Sequence, residues 1–226
     1  MVASGIQKSN ARVAPTSSAV LVMAEMAQGR LSAAASQPGD MIVLKLKNDL
    51  KANGEVLLRK GSNINGLLRT AKSSEVPDRF QSIIEIEWKA PVPQGKAARK
   101  LSIALEFLAD ANAPVATTRI LRTIDPSKMA PASLDTSGRP NAAVLSMPFV
   151  VAVDRQTSST IESRLKSPST EPIYRIGRGR LTASGSQQTL EIFSHLNNDT
   201  VITSANKNFE IPSGVQMRLL VGVNRN

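Results

Sequence analysis

The chain has 226 residues, of which 41% are hydrophobic but only 3% aromatic, and it carries 28 Lys and Arg against 18 Asp and Glu. That length suits one medium all-β domain or two small ones, with a core filled by aliphatic side chains. The formal net charge of +10 favours anionic surroundings such as nucleic acid, anionic lipid or acidic polysaccharide. The lack of cysteine excludes disulfides, thiolate catalysis and cysteine-ligated metal sites.

The first residues imitate a secretory leader without matching one. Lys8 and Arg12 precede the apolar run 19–27, but Glu25 interrupts that run. We therefore expect export, if it occurs, to depend on a leader preceding this segment, with residues 1–18 as a flexible lead-in. Nowhere does the sequence approach the roughly 20 apolar residues that a membrane-spanning helix needs, and we predict no transmembrane segment.

From Val20 the pattern becomes that of β-strands. VLVMAEM is followed by Gly29, and SQPGD at 36–40 has the composition of a turn. In MIVLKLKNDL, Ile42, Leu44 and Leu46 alternate with Val43 and two lysines. Such alternation with a period of two residues predicts a half-buried strand.

Three glycines punctuate the stretch ANGEVLLRKGSNING, residues 52–66. A phosphate-binding loop needs G-x-x-x-x-G-K-S/T before a helix, whereas Lys60-Gly61-Ser62 inverts that order. Asn53-Gly54 instead suits a type I′ hairpin turn, which requires positive φ at both central residues. We therefore predict a hairpin there, a return strand EVLLRKG, and a bend or bulge between Gly61 and Gly66. The predicted structural turn residues are Gly39, Asp40, Asn53, Gly54, Lys60, Gly61, Gly66 and Gly214.

Two further strands are predicted on either side of the turn PVPQGK, residues 91–96. FQSIIEIEWKA places Phe80, Ile84, Ile86 and Trp88 on one face and Glu85 and Glu87 on the other. Paired carboxylates can perform acid–base chemistry, but here a solvated face balanced by Lys45 and Lys47 across the strands is the preferred interpretation. LSIALEFLA, residues 101–109, has helical propensity, yet its context favours a strand with Leu101, Ile103, Leu105 and Phe107 on one face.

The middle of the chain differs in composition. Four prolines between residues 110 and 142 predict an irregular connection, with one strand possible at TTRILRTID. VLSMPFVVAVD, residues 144–154, suits a buried strand. The segment 156–167 can form a short helix, because Ser158 or Ser159 followed by Glu162 has capping-box spacing.

Four strand signals close the chain, at 174–185, 188–196, 200–211 and 212–225. The first, YRIGRGRLTASG, holds the densest cationic cluster, Arg175, Arg178 and Arg180, beside Tyr174. Arginine–glycine alternation next to an aromatic ring can contact phosphates or RNA, although stacking platforms need more aromatics than this chain has. These three arginines are our candidate polyanion contacts.

The stretch PGDMIVLKLKNDLKANGEVLLRKGSNINGLLRTAK resembles a group of small envelope-associated β-proteins common in Acidobacteria. Their pattern is a PGD-strand, a hairpin, a strand ending in K-G-S/T, and a closing strand after Pro-Ser-Gly, here Pro212-Ser213-Gly214. The same order is loosely similar to the C-terminal barrel of the conjugation and type IV secretion core-complex protein. The resemblance covers about 36–109 and 200–226, and it implies a barrel in the periplasm or outer envelope. Arg59 stands where the group usually has Pro, and a membrane-anchoring helix is lacking.

Catalytic signals are weak. His195 is the sole histidine, so a zinc site or a Ser-His-Asp relay would have to be built around it alone. We expect it at the surface or in a local hydrogen bond, and we predict no enzyme, cofactor or metal.

Taken together, the signals predict an all-β fold, with residues 19–226 forming one barrel-like or sandwich domain of roughly ten short strands. The expected function is that of a non-catalytic cell-envelope structural or assembly module. It would meet a protein partner, or a second copy of itself, through loops or open strand edges. The alternative is a basic polyanion-binding module.

Overall fold

The computed structural model describes residues 18–52, 54–89, 91, 93, 99–111, 151–166, 168–183 and 186–225. These residues form the all-β, barrel-like fold that the alternation predicts, with one short helix. Predictions for 1–17, for Asn53 and for most of the irregular connection at 110–142, including the strand at TTRILRTID, fall outside the described residues.

The described residues contain fourteen strands and one helix, α1, at Arg155–Glu162. In chain order the strands are β1 Ser18–Gln28, β2 Leu31–Ser32, β3 Met41–Leu46, β4 Leu50–Ala52, β5 Glu55–Leu58, β6 Asn63–Ser73, β7 Ser82–Lys89, β8 Arg99–Ala109, β9 Val151–Ala152, β10 Tyr174–Ala183, β11 Ser186–Ser194, β12 Asp199–Ser204, β13 Glu210–Ile211 and β14 Gln216–Arg225.

Nine of these strands close into a barrel. The order around the wall is β11-β12-β7-β6-β3-β1-β14-β8-β10, and β10 pairs with β11 to complete the circle. Neighbours are antiparallel except β8 and β10, which run parallel through Arg178–Arg180 and Phe107–Ala109. The short β9 pairs with the start of β10. Closure pairs the backbone groups that an open sheet would leave exposed at its edges.

The parallel seam between β8 and β10 depends on glycine. A Cβ atom on Gly177 would lie 1.6 Å from the carbonyl oxygen of Glu106, and one on Gly179 would lie 2.6 Å from the side chain of Leu108. The two strands can therefore approach only because these residues have no side chain. Glu106 and Ile176 sit at irregularities of register on the facing strands. The glycines of YRIGRGR thus serve closure of the barrel.

Side chains fill the barrel interior. Inward-facing residues of every wall strand join one apolar cluster that includes Met26, Leu44, Ile86, Leu105 and Met217. The single tryptophan, Trp88, is 2% exposed, and its indole Nε1 donates to Thr200 Oγ1 at 2.8 Å. A buried indole N–H needs such a partner. The barrel interior is therefore a packed core.

The small hairpins and tight turns follow the glycine pattern closely. β4 and β5 pair with each other, with Ala52 opposite Glu55. Gly39, Gly54, Gly61 and Gly214 all have positive φ, and Asp40 and Lys60 lie beside two of them. Asp40 also accepts a hydrogen bond from the backbone of Gln37 at 2.9 Å.

Gly66 is a correction to the turn set. It lies within the continuous strand β6, opposite Trp88 on β7. A Cβ at this position would lie 2.8 Å from both Ile86 and Trp88 side-chain atoms. The glycine makes room for the large indole ring, and the predicted bend between Gly61 and Gly66 is absent from these residues.

Three further expectations need correction. α1 is capped by Asp154, whose carboxylate accepts from Thr157 N, and Ser158 and Ser159 lie inside the helix. In β8 the irregularity at Glu106 reverses the alternation, so Leu108 is buried and Phe107 faces outward under Arg218. Of the buried strand expected at 144–154, the structure describes only 151–154, where Val151 and Ala152 form an exposed two-residue strand and Val153 is half-buried.

Candidate functional site

The outer wall of the barrel carries two concentrations of charge. One surrounds His195 and lies beneath α1 and the segment that follows it to Ile173, which we call the strap. The other is the arginine strip, Arg175, Arg178 and Arg180 on β10. The first combines a helix residue with residues at the β11–β12 turn, whereas the second lies on one wall strand.

The strap is held by an apolar patch that faces away from the barrel interior. Ile161, Leu165 and Ile173 of the strap pack with outward-facing residues of the wall and its loops, namely Phe80, Ile83, Phe193 and Val201. The rings of Phe80 and Phe193 meet edge to face at 6.0 Å. Burying this patch fixes the strap against β7, β11 and β12.

The turn from β11 to β12 positions the histidine. Leu196 and Asn198 both have positive φ, which folds the chain tightly enough for Asp199 to reach back. The Asp199 carboxylate accepts from His195 N at 2.9 Å and from Ser194 Oγ at 2.7 Å. The local backbone therefore presents the imidazole and a carboxylate side by side.

His195 is buried between two carboxylates. Its Nδ1 contacts Asp199 Oδ2, and its Nε2 lies 2.6 Å from Oε1 of Glu162 at the end of α1. Burial alone would lower the pKa of His195, but the hydrogen bonds and charges of Asp199 and then Glu162 outweigh it and raise the pKa to about 9. The charged Glu162–His195–Asp199 cluster, which we call the latch, thus ties the strap to the β11–β12 turn.

A third carboxylate stands next to the latch. Glu85 accepts from Thr70 Oγ1 at 2.6 Å, and the same hydroxyl accepts from the strap at Lys166 N at 3.1 Å. Burial, together with the nearby charges of Asp199 and Glu162, raises the pKa of Glu85, against the lowering effects of Thr70 and His195. The Glu85 carboxylate therefore helps to hold the strap against the wall through Thr70.

A cleft of about 770 Å³ crosses the outer wall beside the strap. Its lining combines the latch residues His195 and Asp199, the pair Arg69 and Glu87, and the strap residues Lys166, Pro168 and Ser169. Across the described ranges, no group of three or more His, Cys, Asp or Glu residues has the arrangement of a metal site. The helix α1 has eight residues, and no described helix could cross a membrane.

The latch geometry disfavours acid–base catalysis. A general base needs an available nitrogen and a pKa near the working pH. Both nitrogens of His195 contact carboxylates, and a pKa of about 9 keeps the ring protonated at neutral pH. The arrangement is that of a buried ion cluster with structural consequences.

The arginine strip presents its charge to solvent. Arg178 and Arg180 are exposed and alternate with the buried Gly179, so they share the outward face of β10. Two residues of strand place them about 7 Å apart along the backbone. Neither side chain makes an ion pair or hydrogen bond with the part of the chain that the structure describes. Arg175 is half-buried and lies 3.8 Å from Glu191 on β11.

The outcomes for the other candidates vary. Tyr174 is 4% exposed and cannot stack on a base. His195 is buried rather than at the surface, and its contact with Asp199, four residues on, is the local hydrogen bond that was the other expectation. Glu85 and Glu87 share a face, as alternation predicts, but Lys45 and Lys47 do not balance them because β6 separates β3 from β7. Glu87 pairs with Arg69, and Lys47 pairs with Glu25.

Sequence reasoning missed the latch for a definable reason. His195 and Asp199 are four residues apart across a turn, a spacing visible in the sequence. Glu162 is 33 residues away and reaches the histidine only because the strap folds over the wall. Periodicity predicts which strand face points into the barrel. It gives no indication that a helix will cover the opposite, outward face.

No protein-family model, curated protein or solved structure matches this chain. The resemblance to envelope β-proteins and to the secretion-complex barrel therefore stays a prediction.

Proposed function

We propose that this chain is a non-catalytic polyanion-binding module. The packed barrel is its scaffold, and the arginine strip is its contact surface. The single observation that carries this proposal is the pair of exposed guanidinium groups of Arg178 and Arg180, which have no partner among the described residues and are held on one face of a strand fixed within the barrel wall. Arginine suits this role because its planar fork binds phosphate or sulfate oxygens in pairs.

Barrel closure favours this function over strand addition. Of the strands in the main sheet, only the two-residue β9 ends the strand order, since β10 and β11 pair with each other. Among the described strands of the main sheet, a partner strand therefore finds no free end strand longer than two residues, which disfavours edge pairing. The net charge of +10 brings a polyanion toward the whole surface, and the strip offers a local contact.

The ligand should be recognised by its anionic groups. The two largest aromatic residues, Trp88 and Tyr174, are buried, so base stacking on them is excluded. A linear polymer fits a row of arginines along one strand. We therefore expect binding to phosphate or sulfate groups without sequence preference, in the manner of other backbone-directed contacts. An envelope location remains part of the proposal through the resemblance alone.

The test is fluorescence-anisotropy titration of labelled 20-base-pair DNA and of labelled heparin at 0.1 M salt. Replacing both arginines, R178Q/R180Q, should weaken binding on the order of 50-fold if each loses one phosphate contact. The control R59Q/K60Q removes the same charge from the exposed β5–β6 turn and should change the affinity far less. Equal losses of affinity in the two variants would contradict a specific contact at the strip, because net charge alone would then explain the binding. Preference for heparin over DNA would indicate a sulfated rather than a nucleic-acid ligand.

The cleft supports a second candidate, an interaction module for a protein partner. Its 770 Å³ volume, its apolar prolines and its charged rim could hold a protein segment. A photo-crosslinking residue at Lys166 should then capture one protein from the source cells, whereas the same residue at Arg59 should not. Capture that survives 0.5 M salt would favour this candidate, and identical capture at both positions would contradict it.

A further inference from the structure

One carboxylate lies in the middle of the arginine strip. Glu191 of β11 is the cross-strand neighbour of Arg178 on β10. It is held by a different residue, Arg79, in the loop before β7. The Arg79 Nε and Nη2 atoms donate to its two oxygens at 2.9 and 2.8 Å. Arg175 lies 3.8 Å from the same carboxylate.

The Arg79–Glu191 pair is open to solvent on its arginine side. The Arg79 side chain is 56% exposed, whereas the Glu191 side chain is 17% exposed. The Arg79 guanidinium also lies 5.1 Å from the centre of the Phe80 ring, so this side chain has a second contact that does not need Glu191. The ring contact therefore keeps Arg79 close to the strip when an anionic ligand takes the place of Glu191.

A second carboxylate, that of Asp154, has a weaker effect on Arg79. Hydrogen bonding to Glu191, and then its charge, raise the pKa of Arg79, with a smaller effect from Asp154 at the start of α1. Asp154 is itself engaged in capping the helix through Thr157. Among the described residues, Glu191 is thus the acidic side chain that pairs with a member of the strip, Arg175.

We propose that Glu191 is an internal competitor for the ligand of the arginine strip. Its carboxylate takes the place of an anionic group between Arg79 and Arg175, opposite Arg178 on the neighbouring strand, and a phosphate or sulfate must displace it to use all of these cations. This inference rests on the proposed polyanion function. It adds Arg79 to the binding surface and identifies Glu191 as the residue that limits affinity.

The variant E191Q keeps the shape of the side chain and removes its charge. It should bind 20-base-pair DNA about eightfold more tightly than the wild type at 0.1 M salt, the gain expected for one additional phosphate contact. The slope of log Kobs against log salt should steepen by about 0.9. Adding R79Q to E191Q should return both values toward those of the wild type, because Arg79 is the cation that E191Q releases.

The matched control is E210Q, which removes the same charge from a surface pair with Arg30 on the separate β2–β13 sheet. Equal gains in E191Q and E210Q would overturn the inference, because net charge would then explain both. Unchanged binding by E191Q, with wild-type binding still dependent on Arg178 and Arg180, would also overturn it and leave the proposed function intact. Absence of binding by every variant would refute the proposed function itself. Urea unfolding checks that each variant is folded. If E191Q does not fold, E191A provides a second substitution at the same position.

Discussion

The latch and the arginine strip both place charge on the outer wall of one barrel, yet they differ in how the charge is matched. In the latch, a buried imidazole contacts carboxylates on two sides. In the strip, two exposed guanidinium groups have no described partner. Burial makes unpaired charge very costly, whereas water tolerates it. Paired buried charge therefore indicates a structural role, and unpaired exposed charge is available for a ligand.

The seam beneath the strip should be the most sensitive place in the molecule. G177A would place a Cβ 1.6 Å from the Glu106 carbonyl oxygen, a backbone atom that cannot move without disturbing β8. We expect a loss of at least about 3 kcal/mol in the free energy of unfolding, measured by urea denaturation. G54A is the control, since nothing lies within 4 Å of its Cβ and only its positive φ opposes alanine, at about 1 kcal/mol. Equal losses would show that the seam is not tightly closed.

Breaking the latch should have the next largest effect. H195A removes the cation and leaves Glu162 and Asp199 without their shared partner, a change that costs about 3–5 kcal/mol for a buried pair. The surface variant E210Q should cost less than 1 kcal/mol. If urea denaturation gives H195A the same stability as E210Q, the contrast between buried and exposed charge would be lost.

The latch also predicts a dependence of stability on alkaline pH. The pKa of His195 is raised from 6.5 to about 9 on folding, so its contribution is complete below pH 6.5 and disappears as the pH rises through 9. The total loss should be about 3 kcal/mol, from 1.36 kcal/mol for each pKa unit. Urea unfolding at pH 6 to 10 measures it. H195N should give a flatter profile across this window, and identical profiles would exclude the latch as the cause.

The strip should matter least for folding. R178Q/R180Q removes exposed side chains that make no described contact, so the free energy of unfolding should change by no more than about 0.5 kcal/mol. A loss above 2 kcal/mol by the same urea measurement would mean that these arginines have a structural role.

The sequence predicts the strands better than their closure. Alternation in IEIEWKA and in MRLLVGV, and the turn chemistry of Asn53-Gly54, depend on local physics and appear in the structure as β7, β14 and the β4–β5 hairpin. The parallel β8–β10 seam joins segments about 70 residues apart, and no local pattern specifies that pairing. Gly66 and Gly177 show the consequence, since both are sites of close packing that resemble turn glycines in sequence.

The candidate sites likewise contain residues that the sequence predicts and residues that only the tertiary fold brings together. The arginine strip is visible in the sequence because its three members share one strand. Glu191 and Arg79 join it only through the pairing of β10 with β11 and the loop before β7. The latch needs the strap to cross the wall. Local clusters can therefore be predicted, whereas their neutralising or completing partners depend on the tertiary fold.

The most direct test of the central claim is the salt dependence of DNA binding by the wild type and by R178Q/R180Q. If the exposed arginines bind phosphates, the slope of log Kobs against log salt should become shallower by about 1.8, or 0.9 for each arginine. Parallel slopes for the two proteins would contradict the account.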